Sequence, residues 1–297
     1  MAKPRRSPVR SGRIRKVAVI AKPRAGEGLR VARDLGDWLR ERGVRVQYDA
    51  ATAKALGRRD GLRDGYLPRG TDLVIVAGGD GTLLSAARLA GPRGVPILGV
   101  NFGGLGFMTE LQPEETFAGL TRVLEGACTI EERAALSVRL LRRRRVVASH
   151  MALNDAVITK TALARMLVLA VRVDGEPVAT YTSDGLILAT PTGSTAYNLS
   201  AGGPILDPRM SAFIITPICP HAMTYRPVVV PGTVRIDVVL ESRTEEAYLT
   251  LDGQVGYPMK EGDQLVVSRY EKPVRLVRVA GRGYFEILQR KLRWGGR

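Results

Sequence analysis

Hydrophobic and polar positions follow two periods in the first part of the chain. Residues 17–21 and 73–77 are continuous apolar runs, typical of strands in a sheet that is covered on both faces. Between them, apolar residues at positions 32, 35, 38 and 39 repeat with the period of a helix, and Gly43 ends that pattern. Alternating strands and helices predict a parallel, doubly wound sheet, so we expect an α/β domain over residues 17–130.

The remaining elements of this domain continue the alternation. Residues 44–48 and 95–100 are interpreted as strands, and residues 83–90 as a short helix. Pro113 is expected to begin a further helix that turns Phe117 inward.

Beyond residue 130 the helical period fades, and turn residues separate short apolar runs. This pattern is typical of an all-β domain, which we expect over residues 131–280. Residues 281–297 are expected to return to the α/β domain. Strands of the all-β domain are predicted at 137–147, 167–173, 178–181, 186–190, 213–216, 228–230, 234–240, 248–251, 264–268 and 274–279.

Basic residues are concentrated at the start of the chain. The formal net charge is +16, and residues 1–16 contain seven Lys or Arg side chains and no acid. This composition predicts a basic, disordered tail, for which a solubilising role is favoured over nucleic-acid binding. The positive charge elsewhere suits a protein that binds polyphosphate substrates. A second basic run at 142–145 is interpreted as a solvated strand or hairpin edge, in preference to a phosphate contact.

Several classes of protein are not expected. No stretch approaches the roughly 18 consecutive apolar residues of a membrane span, and residues 17–21 are too short for a signal-peptide core. The two cysteines and two histidines have no metal-ligand spacing, so neither a zinc site nor a disulfide framework is predicted. A cytoplasmic location is expected, although the Arg-rich start also resembles an organelle transit peptide.

The candidate chemistry begins directly after the second apolar run. Gly78, Gly79, Asp80, Gly81 and Thr82 lie between that predicted strand and a helix, where open α/β sheets bind ligands. The glycines are expected to adopt positive φ and to let peptide N–H groups approach phosphate oxygens, and the helix start favours anions. The sequence has no Walker A motif and no G-x-G-x-x-G after a strand.

Asp80 has two interpretations. It is a preferred residue for a helix N-cap. Alternatively, its carboxylate orients an acceptor hydroxyl and takes its proton, because phosphoryl transfer has a loose transition state that needs positioning more than a strong base. The residues alone leave both open.

These motifs resemble a known superfamily. GGDGT after an apolar strand is similar to NAD kinases and to diacylglycerol and sphingosine kinases, and phosphofructokinases share it. The resemblance to NAD kinases is specific, because residues 183–204 match their motif nearly residue for residue. It covers roughly residues 17–290 and includes NFGGLGF at 101–107, LND at 153–155, PH at 220–221, RP at 226–227 and DGQ at 252–254.

The segment TPTGSTAY at residues 190–197 is rich in small and hydroxylated side chains. A flat base can lie against such a backbone, with Tyr197 available for stacking. An ST-rich turn between two strands would have the same composition. The resemblance favours the binding loop.

The resemblance implies phosphorylation of the 2′-hydroxyl on the adenosine ribose of NAD, with ATP or polyphosphate as donor and Mg²⁺ delivered with ATP. Asp80 is the implied catalytic group, and the implied phosphate loop consists of Gly78, Gly79, Gly81 and Thr82. Asn154 and Asp155 are expected to contact adenine and ribose hydroxyls, and Asp184 to face the nicotinamide. The residues implied for NAD binding are Asn154, Asp155, Asp184, Thr195, Ala196, Tyr197, Ser200 and Phe107.

One position departs from the family pattern. Asp155 stands where NAD kinases have Glu, which shortens the side chain by one methylene, about 1.5 Å. We expect altered affinity and retained activity, through a backbone shift or a water-mediated contact. His221 is expected to be packed or on the surface without a catalytic part, and Asp252 to be structural in its turn or to line the site.

Two alternative functions share part of the pattern. A lipid kinase of the diacylglycerol type has the glycine loop, but it would not explain the TPTGSTAY segment. A non-catalytic NAD(P)-binding regulator with a nucleic-acid-binding tail would not explain a carboxylate beside phosphates. The expected partners are NAD and ATP or polyphosphate, with further copies of the chain in a homodimer or homotetramer, and without membrane or nucleic acid.

Overall fold

The structure is a computed structural model that describes residues 7–8, 14–22, 26–101, 106–161, 165–242, 247–279, 281 and 283–294. The chain forms two compact units, the first from Met1–Glu132 with Val274–Arg297 and the second from Arg133–Pro273. The predicted combination of an α/β domain with a parallel sheet and an all-β domain is confirmed. Within the basic tail, Ser7 and Pro8 form a strand that pairs with Ile130 and Thr129, and Lys16 begins the next strand, so the predicted disorder is wrong for these residues. Most of the tail lies outside the described residues, and there the disorder stays a prediction. No helix in the described ranges has both the length and the apolar character needed to cross a bilayer.

The elements along the chain are as follows. The helices are α1 (Gly26–Glu41), α2 (Ala50–Ala55), α3 (Asp80–Ala90), α4 (Thr116–Leu124), α5 (Tyr197–Ser200) and α6 (Tyr284–Leu292), with 3₁₀ turns at Gly91–Arg93, Pro113–Glu115 and Gly193–Thr195. The strands are β1 (Ser7–Pro8), β2 (Lys16–Ala21), β3 (Arg45–Tyr48), β4 (Leu73–Ala77), β5 (Ile97–Val100), β6 (Thr129–Arg133), β7 (Leu136–Arg142), β8 (Arg145–Ala152), β9 (Asp155–Lys160), β10 (Leu167–Val173), β11 (Glu176–Ser183), β12 (Gly185–Ala189), β13 (Ala212–Ile218), β14 (Val228–Pro231), β15 (Ile236–Leu240), β16 (Ala247–Leu251), β17 (Val255–Met259), β18 (Gln264–Arg269) and β19 (Val274–Arg278).

The first unit is built on one sheet with the strand order β1-β6-β19-β5-β4-β2-β3. Its five strands from β19 to β3 run parallel. Every residue of β4 is buried, and only its alternate residues Leu73, Ile75 and Ala77 belong to the core that includes α1 and α4. Because successive strand residues point to opposite faces, this sheet is covered on both sides, as the unbroken apolar run predicted.

Two predictions for the first unit are wrong. The strand Val274–Arg278 was assigned to the all-β domain, but β19 pairs in parallel with β5 at Leu276 and Ile97. Its short apolar run has no feature that separates a returning parallel strand from another antiparallel one. Phe117 was expected to face inward, but its side chain is 39% exposed and lies against Trp38, with ring centres 5.7 Å apart. The preceding 3₁₀ turn changes the phase of α4, so the buried face starts at Thr116.

The second unit consists of two six-stranded antiparallel sheets. Their strand orders are β11-β10-β15-β18-β7-β8 and β14-β13-β12-β9-β16-β17. Side chains from both sheets form one core, in which Phe213 of β13 and Ile236 of β15 are fully buried. The two sheets therefore pack face to face as a sandwich.

The other face of the second sheet is also covered. Val157, Ile187 and Ile214 point there and pack with Leu206 and Ala201, which follow the TPTGSTAY segment. β9 was not predicted from sequence because only three of its six residues, 156–158, are apolar, a run too short to indicate a strand.

The basic run at 142–145 is a hairpin turn. Arg143 and Arg144 have positive φ, and Arg142 pairs with Arg145 across the turn. Two charge-assisted hydrogen bonds join the Arg142 guanidinium to Asp263. The hairpin interpretation is therefore correct, and the predicted strand at 137–147 is divided between β7 and β8.

Candidate functional site

Asp80 lies at the first turn of α3, immediately beyond the carboxyl end of β4. Gly78 continues the sheet, because its N–H donates to the carbonyl of Val100 at 2.9 Å. Gly79 is the N-cap of α3, with φ −81° and ψ −173°. The N-cap interpretation of Asp80 is therefore wrong, and its carboxylate is left for other contacts.

The Asp80 carboxylate is held by a segment distant in sequence. The N–H of Phe107 donates to Oδ2 at 2.9 Å, and the N–H of Met108 donates to Oδ1 at 3.1 Å. Each oxygen of an ionised carboxylate accepts about two hydrogen bonds, so both keep capacity for a further donor. The two peptide N–H groups therefore fix the direction of the carboxylate.

The glycines in this region provide space for close contacts. The expectation of positive φ is wrong for Gly78, Gly79 and Gly81, whose φ values all lie outside that range. A Cβ on Gly78 would lie 2.6 Å from Oγ1 of Thr82. A Cβ on Gly106 would lie 2.5 Å from Oδ1 of Asp80, so only glycine lets this segment approach the carboxylate so closely.

Gly81 and Thr82, which were expected in a loop before the helix, belong to the first turn of α3, and the N–H of Thr82 donates to the carbonyl of Gly79 at 3.0 Å. Their implied phosphate contacts stay a prediction. Phe107 is half-buried, and Nζ of Lys291 lies 6.0 Å from the centre of its ring. Residues 102–105 of the NFGGLGF segment lie outside the described residues.

In the second unit, the Asp252 carboxylate organises the turn that contains Asn154. Oδ1 accepts the N–H of Asn154 at 2.7 Å and of Asp155 at 3.3 Å, and Oδ2 accepts the N–H of Leu153 at 3.1 Å. Asp252 itself has φ 51° and donates its N–H to the carbonyl of Asp155. Its side chain therefore has a structural role in fixing residues 153–155.

Asn154 and Asp155 have different surroundings. Oδ1 of Asn154 is buried and has no hydrogen-bond partner among the described residues, so it is an unsatisfied acceptor. The side chain of Asp155 is buried, with only 4% of the residue exposed. Burial, and then the nearby Asp252 carboxylate, raise the pKa of Asp155 to about 7. Near neutral pH this carboxyl group is therefore divided between its neutral and charged forms, whereas the sequence interpretation assumed a carboxylate.

The TPTGSTAY segment packs directly on the Asn154 turn. Thr190 donates its hydroxyl to the carbonyl of Leu153 at 2.6 Å and its N–H to the carbonyl of Asn154 at 2.9 Å. A Cβ on Gly193 would lie 2.1 Å from the Asn154 carbonyl oxygen, so glycine is required at this approach. The structure therefore brings two predicted binding segments together within one unit.

The remaining predicted residues lie around this segment with graded exposure. Thr195 and Ala196 are half-buried, Ser200 is exposed and Tyr197 is 43% exposed. Beneath them, the buried Ser194 hydroxyl donates to the carbonyl of Pro191 at 2.7 Å. The segment thus has a rigid inner layer and an accessible outer layer.

Asp184 lies between β11 and β12, and His221 follows β13. Asp184 forms an ion pair with Lys160, with 3.4 Å between Oδ1 and Nζ. His221 is exposed, and its backbone N–H donates to the carbonyl of Thr182, which agrees with the surface interpretation of its side chain.

Sequence reasoning missed Glu110 and Arg278. These buried side chains pair in the first unit, with 2.9 Å between Oε2 and Nη1, although 168 positions separate them. Glu110 could be noticed in the sequence as a charged residue two positions after Met108. Nothing in the sequence indicated Arg278 as its partner.

Comparison with known proteins gives consistent results. Family models described as the ATP-NAD kinase N-terminal domain and the ATP-NAD kinase C-terminal domain match residues 17–128 and 153–279. NAD kinase from Geotalea daltonii is 45% identical over 284 residues, covering 96% of this chain and all of that protein. NAD kinase from Geobacter sulfurreducens is 46% identical with the same coverage of both chains.

Two solved structures have similar folds. The crystal structure of yeast NADH kinase complexed with NADH has a TM-score of 0.85 and 25% identity, covering 96% of this chain and 89% of that one. An NAD kinase from Archaeoglobus fulgidus in complex with ATP has a TM-score of 0.73 and 27% identity, with 94% and 98% covered.

Proposed function

The chain belongs to the ATP-NAD kinase family, and from this premise we propose that it phosphorylates the 2′-hydroxyl on the adenosine ribose of NAD to give NADP. The observation that carries the proposal is the Asp80 carboxylate, held by two peptide N–H groups at the start of α3. No feature of the described residues favours the lipid-kinase or the regulator alternative.

Asp80 acts on the acceptor hydroxyl in this proposal. With one N–H bound to each oxygen, the carboxylate still accepts the hydroxyl proton as the ribose oxygen approaches the γ-phosphorus. The bond from that oxygen to phosphorus forms, the bond from phosphorus to the β,γ-bridging oxygen breaks, and ADP leaves. The proton passes to Asp80 and then to water. Most of the catalytic effect comes from positioning, as expected for a loose transition state.

Magnesium fits the proposal as a companion of the nucleotide. In the described ranges, no group of three or more His, Cys, Asp or Glu side chains could hold a metal ion, and hard cations prefer phosphate oxygens. When bound to the triphosphate, the ion would neutralise charge on the β- and γ-phosphates. The Asp80 carboxylate would supply a protein oxygen for it.

The second unit is proposed to bind the dinucleotide. The buried, unpartnered Oδ1 of Asn154 supports a contact to a donor on the adenine or its ribose. Asp155 is proposed to contact ribose hydroxyls and Asp184 the nicotinamide end. Thr195, Ala196, Tyr197 and Ser200 are proposed to line the base pockets, and Phe107 to pack near the adenine.

ATP is the proposed donor, with polyphosphate as a second candidate. The solved relatives were captured with NADH and with ATP, which supports nucleotide substrates for this chain. We also propose that the enzyme is cytoplasmic and forms a homodimer or homotetramer. Sedimentation of the purified protein at several concentrations tests the assembly.

The activity is tested by incubating purified protein with Mg²⁺, ATP and NAD, and detecting NADP with a dehydrogenase that reduces only NADP. Parallel reactions replace ATP with polyphosphate and NAD with NADH. Formation of NADP that requires ATP and protein supports the proposal. If diacylglycerol is phosphorylated and NAD is not, the proposal is wrong.

A further inference from the structure

A buried ionic network lies behind the segment that holds Asp80. Oε1 of Glu110 accepts the N–H of Val279 at 2.7 Å, and Oε2 accepts Nη1 of Arg278 at 2.9 Å. Nε of Arg278 in turn donates to Oε2 of Glu131 at 2.5 Å. Glu110 is 6% exposed and the Arg278 side chain 17%, so these contacts are shielded from water.

The network is connected through the backbone to the residues that contact Asp80. Glu110 follows Met108 by two residues, and the Met108 N–H donates to Oδ1 of Asp80. The N–H groups of Glu110 and Leu111 both donate to the carbonyl of Gly99, at 2.9 and 3.1 Å. The backbone at 110–111 is therefore attached to the end of β5, and the Glu110 side chain attaches it to β19.

Stability alone is a weak reason for such a pair. Apolar residues of similar volume often stabilise a core as well as a buried ion pair does, because two charges must be desolvated. The Glu110 carboxylate, however, binds two donors through two different oxygens, the Arg278 guanidinium at the end of β19 and the N–H of Val279 directly after it, and these two bonds set its direction. An apolar side chain would fill the space without that directionality.

We propose that Glu110 and Arg278 are positioning residues for phosphoryl transfer: their buried ion pair fixes the 106–110 segment whose N–H groups orient the Asp80 carboxylate. The inference rests on the function proposed for Asp80. Reacting groups must be placed within fractions of an ångström, and a misplacement of about 1 Å can cost on the order of 10²-fold in rate. The pair thus acts on turnover through Asp80 and makes no contact with substrate.

The first test is Glu110→Gln. The amide retains one acceptor oxygen, but its NH₂ group faces either Val279 N–H or the Arg278 guanidinium, so the segment shifts. We expect kcat to fall about tenfold, with KM for NAD and ATP within twofold of wild type. Arg278→Lys, which keeps the charge but not the fork of donors, is expected to give a smaller fall.

Asp263→Asn is the matched control. Asp263 is 1% exposed and accepts Nε and Nη2 of Arg142 at 3.0 and 2.7 Å, so it is a buried carboxylate paired with an arginine in the second unit, although the Arg142 side chain is 34% exposed. We expect this variant to lose thermal stability and to keep kcat within twofold. Equal losses of kcat in Glu110→Gln and Asp263→Asn would overturn the inference, since destabilisation alone would then explain both.

A double-mutant cycle gives the decisive measurement. If Glu110 acts through Asp80, then adding Glu110→Gln to Asp80→Asn should lower the residual kcat by less than twofold. A further tenfold fall would overturn the inference while leaving the role of Asp80 intact. Near-normal turnover of the Asp80→Asn single variant would overturn both this inference and the proposed role of Asp80. Should Glu110→Gln fail to fold, Arg278→Lys takes its place in the same cycle.

Discussion

The Asp80 turn in the first unit and the Asn154 turn in the second are both held by groups distant in the sequence, but in different ways. In the first, backbone N–H groups of residues 107 and 108 hold a side-chain carboxylate. In the second, a side-chain carboxylate, that of Asp252, holds backbone N–H groups. One arrangement directs a reactive group, whereas the other shapes a surface and leaves the Asn154 Oδ1 atom unpartnered.

This difference separates the expected effects of mutation. Disturbing the first turn should change turnover, because the direction of one charged group matters most in the transition state. Disturbing the second should change substrate affinity, because it alters contacts that ground state and transition state share.

The largest effect is expected for Asp80→Asn. The amide retains the shape of the side chain but cannot accept the hydroxyl proton, and its NH₂ group faces the N–H of either Phe107 or Met108. We expect kcat to fall by about 10²-fold or more, with NAD binding retained. Steady-state kinetics and equilibrium titration of NAD measure the two quantities separately. Loss of NAD binding with normal kcat would reverse the contrast between the two turns.

Gly106→Ala should sharpen the same contrast without removing a polar group. Its Cβ would lie 2.5 Å from Oδ1 of Asp80, so the carboxylate or the segment must move. We expect kcat to fall between about 10- and 100-fold, with a smaller change in KM for NAD. Gly26→Ala is the control, since no atom lies within 4 Å of its Cβ. Unchanged turnover in Gly106→Ala would show that the close approach is not needed.

Gly193→Ala applies the equivalent change to the second turn. Its Cβ would lie 2.1 Å from the carbonyl oxygen of Asn154, which forces the TPTGSTAY segment away from that turn. We expect KM for NAD to rise about tenfold, kcat to change less than threefold, and stability to fall by about 1–3 kcal/mol. Kinetics with chemical denaturation check all three. A fall confined to kcat would contradict the assignment of this segment to binding.

Asp155→Asn is expected to have the smallest effect on activity. Its effect on the free energy of unfolding depends on pH. In the folded protein the pKa of Asp155 is raised to about 7 from 3.8, so the folded state binds the proton more tightly. Its contribution to stability is therefore greatest below about pH 4 and is lost as the pH rises through 7. The Asp155→Asn variant has no titrating group at this position and lacks this loss. Its free energy of unfolding, relative to that of wild type, should therefore rise by on the order of a few kcal/mol between pH 4 and 8. Urea unfolding across this range measures the difference in the free energy of unfolding between the variant and wild type. A difference that does not change with pH would contradict the raised pKa of Asp155.

Much of the fold was predictable from local patterns. The run at 73–77 was predicted with the bounds of β4, because five consecutive buried positions leave few alternatives. β9 was missed because its apolar run covers only residues 156–158, and β19 was placed in the wrong domain because pairing partners are not encoded locally. The two interpretations of Asp80 were separated only by the position of the N–H groups of Phe107 and Met108.

The sequence by itself determined the kinds of element, the order of the two domains, the family, and the segments that carry chemistry, because periodicity and motif spacing are local properties of the chain. Only the tertiary structure decided which groups meet: Asp80 with the peptide N–H groups of residues 107 and 108, Asp252 with the Asn154 turn, and Glu110 with Arg278. Such contacts join residues 27 to 168 positions apart. They depend on how sheets bring strand ends together, and no local pattern records that.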